Sequence, residues 1–277
     1  MQDFVARPEH GIAWISGASS GIGRALALKL AGEGYSVAVT ARDHHKLAEL
    51  QVEAGGLPGS IIVLDGDVTN PDDMEHALAS IEYEHGQLAL AIFNAGVYLP
   101  VHAEDLHRED FEQSFAVNVQ GVVNCLVPAI RHMKAKGHGQ IAIVSSVTGY
   151  GGLPTSAAYG ATKAALINMA ESLKFDLDKM GIRIQVINPG FVDTPATSKN
   201  EFPMPSLISA EEAAEHISAG LKSQSFEITF PKRFTYMMKL LNLLPYSLYF
   251  RLVNRSTGWE RRPQPQRRHP VTPSPAE

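Results

Sequence analysis

The segment 12–26, IAWISGASSGIGRAL, decides the fold of this chain. It runs from a short apolar stretch through a glycine-rich turn into residues with helical spacing. Glycine permits the tight turn and lets the backbone approach an anion closely. The helix that follows offers unpaired N–H groups and a partial positive charge to that anion. A glycine-rich turn can also be a plain connector, but its place between a first strand and a first helix favours a pyrophosphate site. The predicted contacts are Gly17, Ser19, Ser20, Gly21, Ile22 and Gly23.

The same alternation of strand and helix patterns continues along the chain. The predicted strands are Ile12–Ile15, Ser36–Thr40, Ile61–Leu64, Leu88–Phe93, Gln140–Val144, Arg183–Ile187 and Glu227–Phe230. The predicted helices are Ile22–Glu33, His45–Glu53, Pro71–His85, Arg108–Lys134, Ser156–Lys179 and Ala210–Lys222. Continuous apolar runs are typical of parallel strands that are covered on both faces. We therefore predict a single-domain α/β fold of the Rossmann type, a doubly wound parallel sheet with helices on both faces.

A chain of 277 residues suffices for one large domain of this class. We expect residues 1–231 to form the dinucleotide-binding and catalytic domain, and residues 232–262 to form an apolar and basic C-terminal segment. Residues 263–277, rich in Pro and Arg, are expected to be disordered. The single Cys125 excludes an internal disulfide framework, and the first residues lack a signal-peptide core. We therefore expect a cytoplasmic location.

Charge is distributed unevenly along the chain. Residues 231–277 contain nine Lys or Arg and two Glu, a net charge of +7. Because the whole chain carries −5, the preceding residues carry −12. An acidic body argues against a nucleic-acid partner, since phosphate backbones require clustered positive charge.

The C-terminal stretch 234–253, FTYMMKLLNLLPYSLYFRLV, allows more than one interpretation. Lys239, Asn242 and Pro245 interrupt it too often for a typical membrane-spanning helix. Its apolar and aromatic residues could pack as a lid or in a subunit interface, and with the flanking basic residues they could contact a membrane surface. The loop 190–209 is expected to be long and mobile, and its Phe202 and Met204 either line an apolar pocket or pack within the loop.

The end of the second strand bears on the choice of nucleotide. A carboxylate there would hold the ribose 2′-hydroxyl of NAD(H), whereas an arginine can pair with the 2′-phosphate of NADP(H). The strand is followed by Ala41 and Arg42. This favours NADP(H) over NAD(H), the alternative being that Arg42 is a solvated loop residue.

A tyrosine and a lysine lie one turn apart on a predicted helix. The i, i+4 spacing puts Tyr159 and Lys163 on one face. A tyrosine with a pKa of about 10 exchanges protons poorly at neutral pH, and a nearby ammonium would lower that pKa. Ser146 follows the fifth strand, at the edge where ligands bind, and could donate a hydrogen bond to a carbonyl oxygen. Each residue alone has an ordinary structural explanation, so their joint occurrence after the glycine turn is what favours an active site.

Several motifs in the same order resemble the short-chain dehydrogenase/reductase family, from about Gly11 to Pro231. The glycine turn is similar to the family's cofactor loop, and Ser146 stands 13 positions before Tyr159, as the family's catalytic serine does. Other segments resemble further family contacts to the cofactor. These are Asp67 and Val68 for the adenine, Asn94, Ala95 and Gly96 after the fourth strand, and Pro189, Gly190, Val192 and Thr194 for the nicotinamide carboxamide.

The resemblance implies a four-residue mechanism. Tyr159 would be the general acid in reduction and the general base in oxidation. Lys163 would bind the nicotinamide ribose and lower the pKa of the tyrosine. Ser146 would stabilise the reacting oxygen, and Asn118 would hold a water that links Lys163 to solvent. The turn opens with Ser16 where threonine is commoner in the family, but a hydroxyl is retained.

The resulting hypothesis is an NADP(H)-dependent oxidoreductase that interconverts an alcohol and a carbonyl, on an apolar small-molecule substrate, with Ser146 and Tyr159 contacting that substrate. The family resemblance also implies a homo-oligomer. The eleven histidines show no spacing typical of zinc ligands, so no metal site is predicted. Two alternatives remain, a non-catalytic dinucleotide sensor and a membrane-surface scaffold on the same fold.

Overall fold

Seven parallel strands form one sheet in a computed structural model that describes residues 4–199 and 204–262. The strands are β1 (Ile12–Ser16), β2 (Ser36–Thr40), β3 (Ser60–Val63), β4 (Leu88–Phe93), β5 (Gly139–Val144), β6 (Ile182–Pro189) and β7 (Glu227–Phe230). Their order in the sheet is β3-β2-β1-β4-β5-β6-β7. The order reverses between β1 and β4, so a cleft opens at the carboxyl ends of these two strands.

Helices cover both faces of the sheet. In the described residues they are α1 (Gly21–Gly32), α2 (His44–Glu53), α3 (Pro71–Ser80), α4 (Arg108–Phe115), α5 (Gly121–Lys136), α6 (Ala157–Leu177), α7 (Ala210–Leu221), α8 (Lys232–Asn242) and α9 (Tyr246–Thr257). One apolar core lies between the sheet and α1, α2 and α7, and the other between the sheet and α3, α5 and α6. The strands are buried on both faces because each core takes alternate side chains. The predicted doubly wound Rossmann-type fold is confirmed.

The predicted helix Arg108–Lys134 is wrong in one respect. A π-helical turn, Ala116–Gln120, separates α4 from α5. This turn contains Asn118, whose side chain bonds to Val97 and Thr162. A π-helical turn shifts the helix faces on either side of it, and such turns often occur at functional sites. The sequence pattern did not reveal this interruption because it depends on the contacts that Asn118 makes with other elements.

The C-terminal segment forms two helices that were not predicted. Pro245 precedes α9, and the turn 243–245 separates it from α8. Phe234 and Met238 on α8 pack against Val147 in a third, smaller cluster. None of the described helices is long and apolar enough to cross a membrane.

The long loop after β6 is described at both ends. A bridge pairs Val192 with Ile208, and a short helical turn covers Thr197–Lys199. Residues 200–203, with Phe202, lie outside the described part of the chain, as does the predicted disordered tail 263–277. The predicted mobility of the loop therefore stays a prediction.

Candidate active site

A cleft of about 810 Å³ opens at the carboxyl edge of the sheet. It runs from the turn after β1, past the ends of β2, β4 and β5, to the first turns of α6 and the loop after β6. The predicted site residues that line it are Gly17, Ser19, Ser20, Gly21, Ile22, Arg42, Asp67, Val68, Asn94, Ala95, Gly96, Ser146, Tyr159, Lys163, Pro189, Gly190, Val192 and Thr194. Gly23 and Asn118 lie behind its wall.

The glycines of the turn allow neighbouring backbone segments to approach one another closely. Gly17 has φ of +72°, and a Cβ there would lie 2.5 Å from the Cα of Ala95. A Cβ on Gly23 would lie 2.3 Å from the carbonyl oxygen of Gly17. Gly23 therefore permits the close packing of α1 against the turn, and its predicted contact with the cofactor stays a prediction.

Asn94 and Ser16 hold the turn in place. The Asn94 Nδ2 donates to the carbonyl oxygens of Ser16 and Gly17, at 3.3 and 2.9 Å. The Ser16 hydroxyl oxygen accepts from the backbone N–H of Asn94 and of Ala95, at 3.2 and 3.3 Å. The hydroxyl at position 16 thus joins β1 to the loop after β4, and a serine suffices for this.

The first turn of α1 is suited to an anion. Ser20 caps the helix in an extended conformation without a hydrogen bond from its side chain, and the first turn contains no acidic residue. The N–H groups and the positive end of the helix dipole are therefore not neutralised by the residues around them.

The far end of the cleft contains both basic and acidic side chains. Arg42 is 73% exposed, and its Nη1 lies 3.9 Å from Asp67 Oδ2. His44, His45 and Lys46 at the start of α2 also line the cleft. His44, His45 and Lys46 were not among the predicted cofactor contacts, although they follow Arg42 closely in the sequence, after Asp43.

The catalytic candidates meet at the other end of the cleft. Ser146 hydrogen-bonds to Tyr159, and its oxygen also accepts from the N–H of Thr148 at 3.2 Å. The Lys163 Nζ lies 5.4 Å from the centre of the Tyr159 ring and donates to the carbonyl oxygen of Val144 at 2.8 Å. The predicted spacing therefore does bring the phenol, the hydroxyl and the ammonium together.

Burial moves the pKa values of this pair in opposite directions. Burial raises the pKa of Tyr159 to about 12, and the hydrogen bond with Ser146 only partly opposes this. Burial also lowers the pKa of Lys163 to about 8. Both shifts favour the neutral form of the group. The shift at Tyr159 is opposite to the one predicted from the spacing, because burial outweighs the hydrogen bond with Ser146 and the nearby Tyr98 hydroxyl also raises the pKa. At neutral pH the phenol holds its proton.

Asn118 lies beneath the cleft and connects its walls. Its Oδ1 accepts from the N–H of Val97 at 2.7 Å, and its Nδ2 donates to the Val97 carbonyl and the Thr162 hydroxyl, each at 3.0 Å. A Cβ on Gly96 would lie 3.3 Å from Asn118 Oδ1 and 3.5 Å from Lys163 Nζ. Because Gly96 has no side chain, Asn118 Oδ1 and Lys163 Nζ are not covered at this position.

Tyr98 is a site residue that the sequence analysis missed. Its ring packs edge-on against Tyr159 with 5.2 Å between centres, and its hydroxyl hydrogen-bonds to Thr155 Oγ1 at 2.8 Å. Tyr98 therefore holds the Tyr159 ring in one orientation. Its position just after the Asn94–Gly96 motif was the available signal.

The sequence profile of the short chain dehydrogenase family matches residues 11–203. The chain belongs to this family. An uncharacterized oxidoreductase of Myxococcus xanthus is 34% identical over 245 residues, which cover 88% of this chain and 97% of that one. A 3-oxoacyl-(acyl-carrier-protein) reductase of Thermotoga maritima is 33% identical over 193 residues, covering 70% and 78%.

Solved structures of short-chain dehydrogenases agree with this assignment. The 3-ketoacyl-(acyl-carrier-protein) reductase of Brucella melitensis, in complex with NADH, superposes with a TM-score of 0.72 at 27% identity, covering 79% of this chain and 96% of that one. The protein is thus a short-chain dehydrogenase with a dinucleotide-binding cleft, and its reaction class is NAD(P)-dependent oxidoreduction.

We expect Asn94→Ala to raise the dissociation constants of both NADPH and NADH about fivefold, because the turn loses two hydrogen bonds worth ~1 kcal/mol together. Fluorescence titration measures this. Asn168→Ala is the matched control, since it removes an exposed amide on α6 that does not line the cleft. Unchanged affinities in a folded Asn94→Ala protein would contradict the role given to this side chain.

The lowered pKa of Lys163 predicts a pH dependence of nucleotide binding. Lys163 carries its charge below a pH of about 8 and loses it as the pH rises through that value. NADH should therefore bind progressively more weakly above pH 8. NADH is the probe because it lacks the 2′-phosphate, a group that titrates near pH 6. In Lys163→Arg, whose side chain stays charged, this inflection should disappear, and its persistence would assign it to another group.

Proposed function

We propose that the protein is an NADP(H)-dependent dehydrogenase/reductase that interconverts an alcohol and a carbonyl on a fairly apolar substrate. The observation that carries the proposal is the convergence of Ser146, Tyr159 and Lys163 at one end of a cleft whose other end is a glycine turn at a helix N-terminus. A hydride donor and a proton donor can then act on the same carbonyl group.

Each residue has a role that follows from its contacts. In reduction, the protonated Tyr159 donates its proton to the carbonyl oxygen. The Ser146 hydroxyl lines the cleft beside Tyr159 and is proposed to donate a hydrogen bond to the same oxygen. Lys163 holds the nicotinamide ribose, and Asn118 is proposed to hold a water that links this ammonium to solvent. The nucleotide supplies the hydride when bound.

The position of Arg42 in the cleft, directly after the end of β2 and Ala41, supports the preference for NADP(H). Its guanidinium is exposed and can pair with a 2′-phosphate. Asp43 is the nearest carboxylate in the sequence, but it caps α2 by accepting from the Lys46 N–H at 3.2 Å and pairs with the Lys46 ammonium. It is therefore engaged by its own helix rather than placed to hold a ribose hydroxyl.

The character of the cleft wall supports an apolar substrate. Tyr98, Val97 and Val192 line the cleft near the catalytic residues. The relatives named as 3-oxoacyl-(acyl-carrier-protein) reductases act, by those names, on acyl groups. We infer that a carbonyl on an aliphatic or acyl chain fits this wall better than a sugar.

The alternative of a non-catalytic dinucleotide sensor is disfavoured by the same geometry. A sensor has no use for a buried phenol that bonds to a serine and lies beside a lysine. We further propose a homo-oligomer in the cytoplasm. The strongly exposed apolar side chains Val127 on α5 and Phe175 on α6 support a subunit contact, and the free, buried Cys125 suits a reducing compartment.

Tyr159→Phe is expected to lower kcat for carbonyl reduction at least about 100-fold, since the general acid is lost. NADPH should still bind, because the phenyl ring keeps its packing. Tyr83→Phe is the control, as Tyr83 is exposed and distant from the cleft. Loss of NADPH binding together with turnover would indicate misfolding, and full turnover in Tyr159→Phe would overturn the assignment of the acid.

Arg42→Ala is expected to weaken NADPH binding about tenfold, from the loss of one charge-assisted contact to phosphate, and to leave NADH binding nearly unchanged. The dissociation constants of NADPH and NADH, measured for the wild type and the variant, give the two changes in affinity. Arg131→Ala serves as the control, because this exposed arginine pairs with Glu75 on the opposite side of the protein from α2. Equal weakening of NADPH and NADH binding would contradict the proposed preference for NADP(H).

A further inference from the structure

The C-terminal segment, residues 232–262, has an inner face that is fixed to the protein. The Lys239 ammonium pairs with the Glu227 carboxylate, which also accepts from the Tyr150 hydroxyl and, at 2.7 Å, from Asn188 Nδ2. The Tyr249 hydroxyl donates to the Gly152 carbonyl at 2.7 Å. Tyr150 and Gly152 belong to the loop between β5 and α6, which also carries Ser146. The segment is therefore held against the catalytic loop.

The outer face of α8 is apolar as well. Phe234 and Met238 point inward. On the opposite side of α8, Tyr236 and Leu240 are exposed, and so is Leu243 directly after the helix. Leu240 is 64% exposed and Leu243 is 80% exposed. A helix that only packs on its domain has a polar outer face, so a second apolar face indicates a further contact.

The apolar surface continues beyond the turn after α8. Tyr246 and Phe250 at the start of α9 are exposed, and their rings stack with 6.0 Å between centres. Arg251 and Arg255 are exposed on the same helix, and Arg233 is exposed on α8. In all, the segment contains seven Lys or Arg and one Glu.

We propose that this outer face docks on the surface of an anionic lipid bilayer. Exposed apolar and aromatic side chains flanked by basic ones are suited to the headgroup boundary, where the basic groups meet anionic lipids. A second copy of the chain fits less well. In a two-fold contact the same patch meets itself, so the exposed Arg233, Arg251 and Arg255 would lie close to their own copies. The docked face adjoins the catalytic loop, so an apolar substrate could enter from the bilayer, a consequence that rests on the proposed function.

Vesicle flotation of the full-length protein tests the docking. Wild-type protein should bind vesicles that contain about 30% phosphatidylglycerol at least tenfold more tightly than vesicles of phosphatidylcholine alone, and salt should weaken this binding. Leu240→Glu/Leu243→Glu should lower the partition coefficient on anionic vesicles at least tenfold. Val52→Glu/Tyr83→Glu is the matched control, since it adds the same charge at exposed apolar positions elsewhere and should bind as the wild type does.

A second pair of changes separates the contribution of charge. Arg251→Gln/Arg255→Gln should weaken binding to anionic vesicles about fivefold per arginine and should not affect binding to neutral vesicles. Thermal unfolding checks that each variant is folded. If the double glutamate variant does not fold, the arginine pair decides the question alone.

Three results would overturn the docking proposal. The first is wild-type protein that does not float with anionic vesicles. The second is equal partitioning of the wild type and the Leu240→Glu/Leu243→Glu variant. The third is a fall in oligomeric mass by light scattering in that variant with no change in flotation, which would show that a second copy covers the face. Absence of reductase activity would count against the proposed function and leave the flotation result unaffected.

Discussion

The site depends on a buried ammonium ion. Lys163 is almost fully buried, and a buried charge is costly unless it is hydrogen-bonded. Its Nζ donates to the carbonyl oxygen of Val144 at the end of β5, and the hydroxyl of the next residue, Ser145, donates to the carbonyl oxygen of Lys163 itself. These two bonds join α6 to β5 in opposite directions. They fix the distance between the strand that leads to Ser146 and the helix that carries Tyr159.

The other contacts at this end of the cleft follow from that junction. With α6 fixed, Tyr159 lies one turn before the ammonium, and Tyr98 packs edge-on against its ring. Asn118 then connects the loop after β4 to α6 through Val97 and Thr162. The catalytic end is thus made from β4, β5 and α6, and the glycine turn is held to the same loop by Asn94. One loop, after β4, therefore aligns the nucleotide end with the proton-donating end.

Most of this could be predicted from sequence because the signals are local. The apolar runs that become strands were located within two residues of their observed ends, and the spacing of Tyr159 and Lys163 follows directly from helix geometry. The errors concern properties that depend on the surroundings. The π-helical turn at Ala116–Gln120 depends on partners on other elements. The direction of the pKa shift at Tyr159 depends on how completely the fold removes water from it, and residue spacing carries no information about that.

The C-terminal segment has two interpretations in the sequence analysis, and the structure is compatible with both. Packing as a lid or in an interface and contact with a membrane surface are alternatives only if the segment has a single apolar face. On α8, however, residues 234 and 238 face the domain while residues 236 and 240 face outward, and each pair is four residues apart. A continuous apolar sequence can therefore serve two contacts at once. Because the inner contact is made to the loop that carries Ser146, whatever binds the outer face lies close to the catalytic end of the cleft.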